Sequence, residues 1–464
     1  MSIKQLTYSF VLTAFAMASL NVNAASIDAN AARVAAGKFL QQNTSTRFMN
    51  NSVSSIKLAY TEKSSVCDNA YYVFNIDGGG WVIIAGDDRA NQVLAYGTEG
   101  SLDMNNLPDN MKGYMNRYKY QIEYLQSGTV TTTARKAPQR VQAVAPLLKS
   151  REWAQQSPFN YQCPTYGGER SSVGCGGLAM AQIVNYWKYP TDMPALDSYP
   201  NSAYYTYVPA LPARSIDYSL IRNQYTQWTD GSLGWVPGVT DEEKQEVAWL
   251  CRYCSQACLM NFSPNGSGSN VLKQKNAFLK LGYSTDAKLL GIEAWPSRET
   301  WNTTDYTDDE WTALMNQELQ AGRPLPYASE DFSDGHAFVV DGVDADGLYH
   351  VSWGWYGRGD GWFQHRAFNV TVNNEYMEFN DALFMIIDLY PYPGYVIPSD
   401  DEPGIPGDVN GDGIVDVSDV TLLINYALNS VAVTSENNNG DLNGDNKFDV
   451  SDITLLVTLI LSNK

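Results

Sequence analysis

The chain has 464 residues, 44% hydrophobic and 18% charged, which is ample for a large core and too long for one ordinary domain. A formal net charge of −20 argues against a nucleic-acid partner, because a phosphate backbone needs neutralising cations. Half of that excess lies from Asp400 onward, where twelve acids face two lysines; the acids are spaced rather than massed, which points to cation binding.

Met1 to Ala24 has the make-up of a secretory signal peptide: Lys4, an apolar stretch from Tyr8 to Leu20, and Val22-Asn-Ala24 as a small-residue cleavage site. The competing reading, a membrane anchor, needs about 20 apolar residues, more than this run holds. No cysteine directly follows the cleavage site, so lipid attachment there is not indicated, and no later segment has the length of a span. The expectation is a secreted protein, extracellular or held at the cell surface or envelope. Six cysteines in so long a chain do not form a disulfide framework.

Residues 25–140 form a first block. It opens with an Ala-rich helical stretch from Asn30 to Leu40. Tyr71 to Ile76 and Trp81 to Ala85, separated by three glycines, read as a hairpin. A helix from about Asn110 to Gln126 follows, with Tyr114, Tyr118, Ile122 and Leu125 as its apolar stripe. Thr131 to Arg140 is polar, basic and rich in breakers, an exposed linker of the kind proteases cut.

The second block, 141–395, carries Cys175 in Ser171-Ser-Val-Gly-Cys-Gly-Gly-Leu178, just before an apolar helical pattern to Trp187. A thiol at a helix N-terminus meets unpaired N–H groups and the positive end of the helix dipole, which favour the nucleophilic thiolate. Only three histidines offer a base. His336 opens a β-rich run in which His336, Phe338 and Val340 share a face; a turn at Asp344 to Gly347 and a return strand complete a hairpin. His350, inside the return strand, and His365 read as structural. A cysteine upstream and a histidine far downstream suit a pair that meets only in the fold. Helices are expected at 176–187, about 241–258, 270–281 and 308–320, two of them after capping boxes at Thr240 and Thr307. Cys251, Cys254 and Cys258 fall at helical spacing and read as core packing rather than a zinc site. Cys67 and Cys163 receive no assignment. Strands dominate from Pro324 to Leu389, so the block is α+β, with the reacting pair in a cleft between its halves.

Residues 396–407 belong to a proline-rich spacer. The last block, 408–464, repeats at an offset of 33. Calcium takes six to eight oxygens, and a 12-residue loop supplies them from positions 1, 3, 5, 7, 9 and 12. Those positions hold Asp408, Asn410, Asp412, the Ile414 carbonyl, Asp416 and Asp419 in one loop. In the other they hold Asp441, Asn443, Asp445, the Lys447 carbonyl, Asp449 and Asp452. Position 12 is Asp rather than Glu, and Asn446 takes the place of the usual glycine in the second loop. An apolar helix pattern follows each loop, which separates this reading from that of a solvated acidic tail.

The middle block resembles the streptopain family of secreted cysteine peptidases. The match rests on Gly174-Cys175, Ala181-Gln-Ile183, Gly335-His-Ala-Phe338 with Asp341-Gly342, and His350-Val-Ser-Trp-Gly-Trp355. The first block resembles that family's inhibitory propeptide, notably at Gly86-Asp-Asp-Arg89, and the last block resembles a small all-α dockerin. The resemblance implies a papain-like fold and an endopeptidase made as a zymogen, with cleavage between Arg135 and Lys149. It implies Cys175 as nucleophile, His336 as general base, Gln155 as oxyanion donor (Gln156 being the one-residue-shift alternative) and Trp353 packed near the histidine. It implies two calcium ions in the dockerin, none for catalysis, protein or peptide substrates, the propeptide as intramolecular inhibitor and a cohesin-type partner. Ser352 stands where the family usually has Asn. Competing functions are a cysteine amidase or cell-wall peptidase, and a non-catalytic binding protein of the same fold.

Overall fold

The computed structural model describes residues 26–42, 56–66, 68–127, 140–150, 152–229, 232–292, 306–331, 335–367, 381–392, 406–409, 415, 417–428, 431, 433 and 438–462. The expected signal peptide, residues 128–139 of the expected linker and most of the proline-rich spacer lie outside them.

The first block comprises helix α1 (Ala29–Gln42), strands β1 (Ile56–Lys63), β2 (Asn69–Ile76), β3 (Trp81–Ala85) and β4 (Val93–Gly97), and helix α2 (Asp109–Gln126). The three glycines between β2 and β3 all have positive φ, which lets Asn75 pair with Trp81 across a tight turn. Alternation along β2 sends Tyr72 and Phe74 to α1 and Tyr71 and Val73 to α2. All four residues of the expected α2 stripe are buried. The Gly86-Asp-Asp-Arg89 motif is a latch. Buried Asp87 takes a two-pronged ion pair from Arg89, whose Nη2 also donates to the Leu125 carbonyl at 2.6 Å, near the end of α2.

The second block starts with short pieces around three helices. In chain order they are β5 (Thr165–Tyr166), β6 (Glu169–Arg170), α3 (Cys175–Trp187), β7 (Asp192–Met193), β8 (Tyr199–Asn201), β9 (Thr206–Val208), β10 (Arg214–Ser215), β11 (Thr226–Thr229), β12 (Ser232–Trp235), α4 (Asp241–Ala257) and α5 (Val271–Lys280). Strand β13 (Lys288–Ile292), helix α6 (Asp308–Gln320) and strands β14 (Leu325–Asp331), β15 (Gly335–Val343), β16 (Tyr349–Ser352), β17 (Gly361–Phe363) and β18 (Asp381–Ile387) complete it. Both capping boxes form, at Thr240 with Glu243 and at Thr307 with Glu310. Cys251, Cys254 and Cys258 lie buried in the core beneath α4, as expected for packing residues.

Ten strands form one antiparallel sheet, in the order β1-β2-β3-β4-β17-β16-β15-β14-β18-β13. The first block is therefore joined edge to edge with the second, through Tyr96 opposite Trp362 and Ala95 opposite Phe363. Helix α3 packs on the face carrying Val339, while α2 and α6 cover the face carrying Phe338 and Val340. The chain just after the linker adds a strap along β15: Val144 and Val343 exchange backbone bonds, and the Leu147 amide donates to the Asp341 carbonyl. In the last block α7 (Val417–Leu428) and α8 (Val450–Ser462) pack around Leu423, Tyr426, Phe448 and Leu456. Among the described residues no helix is long and apolar enough to cross a membrane.

Helix α2 also grips the chain beyond β17. Tyr114 and Tyr118 donate to the Gln364 carbonyl, and Gln121 accepts from the Ala367 amide at 2.6 Å. His365 is buried in this seam. Burial first, then the charges of Arg366 and Arg117, hold its imidazole well below the usual range; Asp308, 3.8 Å away, is itself bonded by Arg366 Nε. The folded state keeps His365 neutral, whereas the unfolded chain protonates it below about pH 6.5. Its stabilising contribution is thus complete above that pH and falls on acidification by about 1.4 kcal/mol per pH unit. The melting temperature of the full chain should drop between pH 7 and 5 by calorimetry, with a shallower drop in His365→Gln.

Candidate active site and calcium loops

The nucleophile candidate is the first residue of α3. Gly174 precedes it at φ +85, and a Cβ there would lie 2.5 Å from Met260 Sδ, so this entry into the helix requires glycine. Cys175 is partly exposed and packs beside Val271, Ala328, Ala337 and Phe384. The Ala337 backbone amide donates to Cys175 Sγ at 3.4 Å. Ala337 is the neighbour of His336, so the strand bearing the imidazole abuts the thiol. His336 itself is half-buried and pairs with Ser329 across β14 and β15.

Gln155 is tied to the same place. Its carbonyl accepts from the Val173 amide at 2.9 Å, two residues before Cys175, and its side chain is partly exposed. Gln156 is exposed and its Oε1 accepts from Asn160 within its own loop. Gln155 is thus joined through its backbone to the segment before the thiol, whereas the Gln156 side chain is engaged within its own loop. Trp353 is 1% exposed and its ring lies tilted against Phe338, centroids 4.7 Å apart; Phe338 is two residues along the strand from His336. The first block covers it: Asn110 Nδ2 donates to the Trp353 carbonyl at 2.7 Å and Tyr114 lies against its ring.

Ser352 turns the other way. It is fully buried towards α3, where its Oγ accepts from Gln182 Nε2 at 3.1 Å. Gln182 also donates to the Ser150 carbonyl, so one buried amide joins the thiol helix, the return strand and the start of the Gln155 loop. Sequence reasoning noted the Ala181-Gln-Ile183 run without this role; a polar residue among apolar helix positions was the available signal. His350 Nδ1 meets Asp341 Oδ1 at 2.5 Å, and Asp341 Oδ2 accepts from the Leu148 amide of the strap. Both groups are buried and fix the second block internally.

The second loop of the last block has the donor set a hard cation needs. Carboxylate oxygens of Asp441, Asp445 and Asp452 lie within 4.8 Å of one another. Asp441 accepts from the amides of Gly444, Asp445 and Asn446, which folds the loop around its oxygens, and Asn446 takes the left-handed turn at φ +62. Asp452 is fully buried and accepts from the Leu442 and Asp449 amides. An all-oxygen cluster with a buried acid fits calcium. Asn443, Lys447 and Asp449 lie on the same loop. In the first loop Asp419 is likewise buried and accepts from the Val409 amide, matching Asp452 and Leu442. Asp408 is also buried. Asn410, Asp412, Ile414 and Asp416 lie outside the described residues.

Residues 153–363 match the profile of the Peptidase C10 family. The chain carries a Peptidase C10 domain, the family of streptopain. Residues 24–122 match the Spi protease inhibitor profile and residues 406–461 the dockerin type I domain, so the peptidase lies between an inhibitory propeptide-type domain and a dockerin. Streptopain of Streptococcus pyogenes is 27% identical over 353 residues, 72% of this chain and 83% of that one. The thiol protease/hemagglutinin PrtT of Porphyromonas gingivalis is 26% identical over 337 residues, 69% of this chain; the match spans 37% of PrtT. Among solved structures, a prointerpain A fragment of Prevotella intermedia aligns with a TM-score of 0.55 at 25% identity, over 73% of this chain and 99% of that fragment. The α+β expectation and the papain-like class agree with that match.

The two glycines after Cys175 have different roles. A Cβ on Gly177 would sit 2.1 Å from Ser255 Oγ of α4, whereas one on Gly176 would meet nothing within 4 Å. Gly177→Ala should destabilise the protein by about 1–3 kcal/mol through overpacking. Gly176→Ala should leave stability unchanged or raise it by up to about 1 kcal/mol. Denaturant unfolding of the two variants reads the contrast directly.

Proposed function

We propose that the chain is an exported zymogen whose peptidase hydrolyses peptide bonds of protein substrates through Cys175 and His336. The Ala337 amide bonded to Cys175 Sγ carries the reading, because it sets the His336 strand against the thiol at a helix N-terminus. In the active form the imidazole takes the thiol proton and the sulfur attacks the substrate carbonyl. The side-chain amide of Gln155 and the Cys175 N–H hold the oxyanion. The imidazolium protonates the leaving amine as the C–N bond breaks. Water, deprotonated by His336, then cleaves the thioester and returns the thiol. Trp353, packed against Phe338, acts as a wall behind the histidine strand rather than as a reacting group.

The domain plan is a signal peptide at 1–24, a propeptide at 25–140, the peptidase at 141–395, a linker at 396–407 and the dockerin at 408–464. The strap supports a boundary near 140, because residues from Val144 to Leu148 are bonded into the peptidase. Helix α2, lying over Trp353, supports inhibition by the propeptide. Calcium would be held by the six positions of each dockerin loop. It would supply the positive charge that lets Asp441, Asp445 and Asp452 crowd together, ordering the surface offered to a cohesin-type partner.

An irreversible thiol reagent should label the matured protein at Cys175, and Cys175→Ala should lose both labelling and casein hydrolysis, by a factor on the order of 10³ or more. Absence of labelling after propeptide removal defeats the proposal. For the dockerin, chelation should lower the melting temperature of its transition, and Asp452→Ala should abolish that calcium dependence for the second loop. An unchanged transition overturns the calcium assignment.

A further inference from the structure

Arg358 sits on the peptidase side of a cleft between the hairpin β11–β12 and the turn before β17. The cleft is walled on its other side by propeptide residues that include Glu99 and Asp103. Its guanidinium lies 4.5 Å over the ring of Trp228, whose Nε1 donates to the Tyr356 carbonyl at 3.1 Å. Its Nη1 donates to the backbone carbonyl of Asn106, also in the propeptide. Arg358 further lowers the acidity range of the Asp103 carboxyl, behind the larger effects of hydrogen bonds from Asn106 and Asn105. An arginine seated over an indole can still turn outer N–H groups to an incoming acceptor.

The platform is fixed to the catalytic loop. Tyr356, at φ +57, donates its amide to the Trp153 carbonyl and its hydroxyl to the Ser157 carbonyl, so the two residues bracket Gln155 and Gln156. Ala154 and Trp355 form a bridge beside them. Removal of the propeptide takes the Asn106 carbonyl and the Asp103 charge away and leaves Trp228, Tyr356 and Arg358 in place. The occupant is already indicated: a polypeptide segment with acidic side chains, Glu99-Gly-Ser-Leu-Asp-Met-Asn-Asn106, lies against this platform in the zymogen.

We propose that the Arg358–Trp228 platform is a substrate exosite of the mature peptidase, which takes an acidic polypeptide segment in the seat now held by propeptide residues 99–106. The inference rests on the peptidase reading above and names a specificity determinant outside the Cys175–His336 pair. Arg358 donates to a backbone carbonyl and attracts a nearby carboxylate, while Trp228 gives an apolar floor.

The test uses the matured full chain with a short fluorogenic peptide and the same peptide extended at either end by residues with two glutamates. The extended peptide should show a kcat/KM about five- to tenfold higher, an advantage that shrinks with added salt. Arg358→Gln should erase the advantage, and Trp228→Ala should reduce it. Equal ratios in the wild type and Arg358→Gln, or a parallel loss on the short peptide, overturn the exosite. A labelled peptide of residues 98–107 provides a readout independent of chemistry. By anisotropy it should bind matured Cys175→Ala at least fivefold more tightly than the same protein with Arg358→Gln; equal binding overturns the proposal. Wild-type protein inactive on both peptides would instead remove the peptidase reading, with the binding measurement still deciding the exosite.

Discussion

The approach of one helix end to one strand governs this molecule. Helix α3 can press its N-terminus against β15 only because Gly174 lets the chain enter beneath Met260 and Gly177 lets α4 come within touching distance. Ser255 seals the junction by donating to the Val173 carbonyl, just before the thiol. Gln182, two turns further on, fastens the other side of the helix to Ser150 and Ser352. A buried amide with both bonds made is costly to lose, since the orphaned partners remain out of water. The thiol, the Gln155 loop and the histidine strand are thus set by the same few contacts, and no single loop carries the site alone.

The propeptide is not a plug laid on a finished enzyme. It supplies four of the ten strands of the sheet, and its helix α2 shares one core with Tyr327, Phe338, Trp353 and Phe363 of the peptidase. Its hold is a mixture of apolar burial and backbone recognition. Tyr114, Tyr118, Gln121 and Asn91 all bond main-chain groups between Gln364 and Ala367 rather than side chains. Such contacts read the path of the main chain, while the side chains of His365, Arg366 and Ala367 are themselves buried in the same seam. The strap at 141–148 belongs by its bonds to the enzyme, which separates what departs from what stays.

Local signals carried much of this into view from sequence. The caps at Thr240 and Thr307, the stripe of α2, the glycine-bounded start of α3 and the doubled acidic loops each depend on residues a few positions apart, where spacing alone encodes geometry. The pairing of Tyr96 with Trp362 was not legible, because both flanking strands look the same whether they are edges or neighbours. Ser352 was readable as a departure from a family pattern, yet its direction was not; alternation along β16 sends it to α3. Arg358 gave no signal at all, being one cation in a glycine-rich turn whose value depends on an indole distant in sequence.

The two outer borders of the sheet have a bearing on how such a protein stays dispersed. Strand β1 is broken by two register shifts and carries Lys57 and Lys63, and β13 begins with Lys288. Irregular, cationic borders resist stacking with a second molecule. When the leader strands depart, the border laid bare is β17, three residues long and opening with a glycine. So short a run of open amides and carbonyls offers little to seed fibrillar growth. The inner boundary would therefore meet a colloidal requirement that the intact ten-stranded sheet, with β4 covering β17, never faces.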